Sequence, residues 1–322
     1  MKTLRRIMMS LAATAFTCTT ATAPAAHAAV DPVLAAPYLY QRGNPIPNPV
    51  EVMNSTGIKS FTLAFVLSDG GCNPKWDGSR SLTGSDATMI KNIRNAGGDV
   101  VPSFGGWAGV KLGEKCSSAS ALAGAYQEVI DAYQLGAIDV DIENTEFTTP
   151  DVQDRVLNAL KIVKQKNRSI RIVVTMTTVT SGPEATGQRL IKQAKAIGAD
   201  VDVWSIMPFN FSDGGDMAAH TESAAEGLKN QLKSVFGLTD DQAYRRMGIS
   251  SMNGKTDSAG ETVTLSDFRT IAAYAAQHHL ARLTFWALNR DRGDCGSTST
   301  DSCGGISQDT YDFTAVVAGH KG

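Results

Sequence analysis

The stretch GAIDVDIENTEF, residues 136–147, places an acid at every second position: Asp139, Asp141 and Glu143. Residues two apart on a β-strand share a face. A strand here would line up three carboxylates on one side and Ile138, Val140 and Ile142 on the other. In a sheet with one wet face that alternation is ordinary, and the acids simply meet water. The rest of the chain decides whether they meet solvent or one another.

Short β-branched or aromatic runs recur along the sequence. They are PYLY (37–40), SFTLAFVLS (60–68), DVVPSFGG (99–106), GAIDVDIE (136–143), SIRIVVTMTT (169–178), DVWSIMPFNF (202–211), MGISSMNG (247–254) and LTFWALNRD (283–291). Between them lie segments with apolar residues at i, i+3, i+4 and i+7, among them 85–97, 120–136, 150–167, 186–198 and 266–279. Several of these stop at Gly or Asn, as helices do. Apolar strands joined by amphipathic helices make a parallel sheet covered by helices. Eight such units predict a single (β/α)8 TIM barrel. An open doubly wound sheet is the alternative, but no GxGxxG follows the first run.

A barrel changes the reading of the opening stretch. GAIDVDIE becomes the fourth strand, and neither face of a barrel strand meets open water. The apolar residues face the helices and the three carboxylates enter the barrel, with Glu143 last, at the mouth where barrel enzymes keep their sites. Like charges packed together cannot all ionise, so at least one pKa is expected well above the usual carboxylate range. A glutamate so raised is suited to general acid work. The bland alternative is an acid ladder neutralised by Arg or Lys partners.

The ends of the chain suggest export. Lys2, Arg5 and Arg6, an apolar run to Phe16 and Ala26-His27-Ala28 read as a signal peptide over residues 1–28, with a fold domain over 29–322. Removing it takes away three cations and no acids, so 27 cations face 32 acids, a net charge of −5. That mild acidity disfavours nucleic acid and anionic membranes as partners. A monomer is expected. Four cysteines remain, Cys72, Cys116, Cys295 and Cys303, an even number that implies disulfides in an exported chain. Three pairings are formally open. Cys295 and Cys303 lie close in a Gly/Ser/Thr-rich stretch, which leaves Cys72 for Cys116. Zinc is the competing reading, but paired CxxC knuckles are absent and His is scarce, so no metal and no cofactor is expected.

The sequence resembles glycoside hydrolase family 18, the retaining chitinases and their inactive relatives, whose fourth strand carries DxxDxDxE. Residues 136–143 match it except that Gly136 replaces the first Asp. The family's SxGG matches Ser103-Phe104-Gly105-Gly106, followed by Trp107; its strand-eight indole matches Trp286; its MxYD appears as Met207-Pro208-Phe209-Asn210. The resemblance implies a (β/α)8 fold and hydrolysis of β-1,4-linked N-acetylglucosamine polymers by substrate-assisted catalysis. Glu143 would protonate the leaving oxygen, Asp141 would hold the acetamido N–H, and Asp139 would share a proton with Asp141. Trp286 would floor the cleavage subsite, and Ser103, Met207, Phe209, Asn210 and Trp107 would lie along the substrate. Trp76, in a loop near Cys72, is a candidate for an outer subsite.

Phe209 is the serious departure, because the family's tyrosine hydroxyl aligns the acetamido oxygen. Tyr38, Tyr40 and Asn253 are candidates for the missing donor. Two alternatives follow: a catalytically inactive lectin, and an endo-N-acetylglucosaminidase acting on N-glycan cores.

Overall fold

The computed structural model describes residues 30–322. The signal peptide expected over residues 1–28 lies outside the described residues. Eight strands form the barrel: β1 (Tyr38–Tyr40), β2 (Ser60–Ser68), β3 (Asp99–Gly105), β4 (Ala137–Ile142), β5 (Arg171–Thr177), β6 (Val203–Met207), β7 (Met247–Met252) and β8 (Arg282–Trp286). Each pairs in parallel with the next in chain order. A bridge from Ala35 to Leu283 brings the last strand back to the first, so the sheet closes as a (β/α)8 barrel.

Eight longer helices wrap it: α1 (Pro49–Thr56), α2 (Ser85–Asn95), α3 (Ala119–Tyr133), α4 (Pro150–Lys166), α5 (Ala185–Ile197), α6 (Met217–Phe236), α7 (Leu265–Gln277) and α8 (Asp312–Ala318). Their ends follow local chemistry. Asn48 accepts a hydrogen bond from the Val50 N–H ahead of Pro49, and Thr264 and Asp267 form a capping box at the start of α7. At Gly57, Gly198 and Gly237 the chain turns through a left-handed residue that ends a helix.

The strands sort their side chains by parity. On β4, Ile138, Val140 and Ile142 join the large apolar layer beneath the helices, while Ala137 faces the barrel axis. Val33, Val101, Ala137, Val173 and Val203 pack together as an apolar floor. Two residues further along four of these strands stand Ser103, Asp139, Thr175 and Ser205, all fully buried. Another step reaches Gly105, Asp141, Thr177 and Met207, of which Asp141 and Met207 line the cleft. The interior thus grades from apolar side chains, through three hydroxyls and one carboxyl, to the cleft. Arg282 enters the barrel at the closing seam, where it donates to the Val33 carbonyl and to Thr62 Oγ1.

Trp76 corrects an expectation. It is fully buried on a short strand paired with β2, and its Nε1 donates to the Tyr133 hydroxyl at 2.8 Å. It is a core residue and is unavailable to sugar. Among the described residues no helix is long and apolar enough to cross a membrane.

Disulfides join Cys72 to Cys116 and Cys295 to Cys303, 44 and 8 residues apart in sequence. Restricting the unfolded chain by loops of these lengths contributes about 4 and about 2.5 kcal/mol. Urea unfolding of Cys72→Ala/Cys116→Ala should therefore lose more stability than Cys295→Ala/Cys303→Ala. The reverse order would show that native-state packing around the short loop, and not chain entropy, dominates.

Candidate active site

The three acids of β4 stand in three different environments. Asp139 is deepest and fully buried. Its Oδ2 accepts from the Tyr38 hydroxyl at 2.9 Å and from Ser103 Oγ at 2.6 Å, and its Oδ1 accepts from Thr175 Oγ1 at 2.7 Å. Ser103 therefore serves Asp139 from inside the barrel and does not face the cleft, which corrects its expected place along the substrate.

Asp141 is also buried, yet among the described residues its Oδ1 has no partner. Burial pushes its pKa well above the usual carboxylate range, with Glu143 and then Asp139 adding to the rise. Glu143 reaches the mouth. Burial raises it to about 7; the Lys111 ammonium pulls downward and Asp257 pushes upward. Among the described residues none of the three acids forms an ion pair, so the neutralised-ladder reading fails.

Glycines make the close approach beside this column. Gly105 pairs with Asp141 across the β3–β4 ladder, and a Cβ there would collide with the Asp141 carbonyl. Gly106, at φ +81°, donates its N–H to that same carbonyl at 2.8 Å, and a Cβ would lie 2.6 Å from the Phe65 ring. Both positions require glycine. Phe65 fills the space so released and stacks on Trp286, centroids 5.6 Å apart and planes 12° apart. Tyr40 flanks the indole at 5.3 Å. Trp286 is thereby braced at the cleft floor.

The cleft encloses about 770 Å³. Asp141, Glu143, Trp286, Met207, Phe209, Asn210 and Trp107 line it, as do Tyr38, Tyr40, Ser250 and Asp257. Trp107 is 68% exposed, so it stands free at the rim. Its carbonyl is held by the Asn144 side chain at 2.5 Å. One wall is fixed by Glu261, a buried residue beyond β7. Its carboxylate accepts the backbone N–H groups of Asn210, Phe211 and Ser212 at 2.6, 2.8 and 3.1 Å. That clamp holds Asn210 at φ +62°. The Asn210 amide in turn exchanges two hydrogen bonds with Asp257, at 3.2 and 3.0 Å.

Of the three candidates to replace the absent tyrosine hydroxyl, Asn253 is excluded. It is fully buried behind β8, where its Oδ1 accepts from the Ala287 N–H at 2.9 Å. Tyr38 lines the cleft with its hydroxyl committed to Asp139, and Tyr40 remains at the wall. Sequence reading missed Lys111, Glu146, Asp257 and Glu261. Glu146 had a signal, since it follows Glu143 by one helical turn; the other three lie in loops without periodicity.

No protein-family model matches the chain. It is similar to a probable bifunctional chitinase/lysozyme of Escherichia coli, 29% identical over 274 residues, which are 80% of this chain and 30% of that protein. It is 28% identical over 271 residues to endochitinase 11 of Metarhizium anisopliae, covering 80% of this chain and 52% of the relative. The chain thus spans about a third to a half of the length of these curated relatives. Among solved structures it resembles the active domain 2 of the thermostable chitinase from Pyrococcus furiosus, with a TM-score of 0.81 and 26% identity. That match covers 89% of this chain and 94% of the domain, whose catalytic-site mutants were crystallised with chito-oligosaccharides. Fold and similarity together define a chitinase-like (β/α)8 barrel.

The raised carboxyls carry a consequence for stability. A Glu143 that titrates near 4.5 when unfolded and about 7 when folded binds its proton more tightly in the folded state. Its contribution is therefore complete below pH 4.5 and is lost as pH rises through 7. Glu143→Gln should leave stability unchanged at pH 4 and raise it by about 3 kcal/mol at pH 8. Equal stability of the two proteins across that range, read by urea unfolding, would show Glu143 to be an ordinary solvated carboxylate.

Proposed function

We propose that the chain is a secreted hydrolase of β-1,4-linked N-acetylglucosamine polymers, with Glu143 as general acid and then general base. The observation that carries this reading is Glu143 itself. It is a buried carboxyl poised at about 7, at the mouth of a cleft floored by a braced indole and directly above Asp141. The names of the relatives support it, as do the chito-oligosaccharide complexes of catalytic-site mutants of the Pyrococcus furiosus domain.

Protonated Glu143 would donate to the leaving glycosidic oxygen while the substrate's own acetamido oxygen attacks the anomeric carbon. The partnerless Oδ1 of Asp141 would receive the acetamido N–H, an interaction that strengthens as positive charge develops on the oxazolinium ion. Asp139, fixed by three hydroxyls, would hold Asp141 in this electrostatic setting. Ionised Glu143 would then take a proton from water as it opens the ring. Two inversions at one carbon retain the β-configuration. We take residues 29–322 as the catalytic domain, acting as a monomer after loss of the leader. Two disulfides are compatible with an extracellular protein.

A second reading is favoured by Phe209, which lines the cleft where the family's tyrosine would supply a hydroxyl: a lectin that binds the same oligomers without cleaving them.

Chitotetraose should be cut, and NMR within minutes should find β-anomers first. Glu143→Gln should still bind the oligomer and lose at least ~10²-fold in turnover. Initial α-anomers would exclude the mechanism. Binding without cleavage by both proteins would establish the lectin.

A further inference from the structure

Two buried ionisable groups flank the acid column and have no part in the reaction as drawn. Lys111 lies in the loop after β3 and is only 2% exposed, so its ammonium, and not merely its stem, is inside the protein. Nζ donates to the Ala108 carbonyl at 2.5 Å and weakly to the Gly105 carbonyl at 3.4 Å. Among the described residues it makes no ion pair. Glu146 sits in the short helix Asn144–Thr148, one turn past Glu143, and is equally buried. Its Oε1 accepts the Gly113 N–H at 3.1 Å, and among the described residues its Oε2 has no partner.

Gly105 joins these groups to the reaction strand. It is the register partner of Asp141, and a Cβ on it would come within 3.3 Å of Glu146 Oε2. The Lys111 ammonium and the orphan oxygen of Glu146 therefore both adjoin the glycine that pairs with Asp141. Burying an ammonium is expensive, and the two carbonyls accept two of its three protons, one of them weakly, without neutralising its charge. A cation retained there interacts with buried carboxylates across a low dielectric.

We infer that Lys111 is a positioning residue for the acid site: its ammonium, anchored on the Gly105 and Ala108 carbonyls, sets the protonation state of Asp141 and Glu143 from behind. This rests on Glu143 being the acid. The charges facing the pair are Asp139 from within β4, Glu146 from the short helix Asn144–Thr148, and Asp257 from the opposite wall. The Tyr126 phenol of α3 faces Glu146. Within this group Lys111 pulls the acids down against burial and their mutual repulsion. Burial lowers the Lys111 pKa in turn, while Glu146, Glu143, Asp141 and Glu114 hold it up.

Removing the cation makes every nearby carboxylate harder to ionise. In Lys111→Met both limbs of the kcat/KM profile on chitotetraose should move to higher pH by about one pH unit. At a pH on the falling limb the variant then keeps about tenfold more of its own maximum than wild type does. Lys111→Arg should keep the limbs near wild type. The 13C carboxyl resonance of Glu143, assigned by its loss in Glu143→Gln, should titrate at higher pH in Lys111→Met, a readout that needs no turnover. Lys111→Gln, the second variant should Lys111→Met fail to fold, keeps an amide donor for the carbonyls without the charge and should move the same limbs to higher pH. A Lys111→Met or Lys111→Gln protein with wild-type limbs and a wild-type Glu143 midpoint overturns the proposal. If wild type does not cut chitotetraose, the hydrolase reading falls, and the carboxyl titration still decides the role of Lys111.

Discussion

Everything about this site follows from confining a row of carboxylates inside a barrel. β4 must be apolar on its outer face to pack beneath the helices, so its acids have nowhere to point but inward. Inside, each level of the barrel treats its acid differently. At Asp139 three hydroxyls offer hydrogen bonds and satisfy both oxygens. At Asp141 one oxygen is left bare, an arrangement that costs folding energy and is sustained by the surrounding barrel. At Glu143 the column ends in a cleft. Three chemically similar groups thus acquire three different dispositions from position alone.

The walls convert that column into a site by fixing backbone rather than by adding charge. Gly105 and Gly106 let β3 approach β4 closely, and the space left by Gly106 admits the Phe65 ring that braces Trp286. On the other side, Glu261 gathers three consecutive N–H groups, and through Asn210 it settles where Asp257 stands. Asp257 is one of the charges that keep Glu143 raised. A carboxylate buried outside the cleft thereby influences the proton inventory within it, and Lys111 acts in the opposite sense from the other wall.

The barrel was legible in the sequence because period-two and period-3.6 patterns alternate without interruption, and because Ile138, Val140 and Ile142 are apolar where a wet face would have been polar. The acid column was legible for the same reason. Loop-borne partners were not. Lys111 sits in GVKLGEK and Glu261 between two short strands, where no periodicity specifies a direction and burial is decided by distant elements. Trp76 misled because its place between Pro74 and Gly78 reads as a loop, whereas the segment pairs with β2 and the indole packs against Tyr133. Ser103 misled differently: motif resemblance placed it near substrate, but strand parity turns it toward Asp139.

The central claim is that burial keeps protons on the upper acids of the column at mildly acidic pH. Neutron diffraction from crystals held near pD 6 observes those protons directly. The account predicts a deuteron on Glu143, whose pKa is about 7, and another on Asp141, raised well above the usual carboxylate range. Nuclear density showing both carboxylates bare at that pD would contradict it.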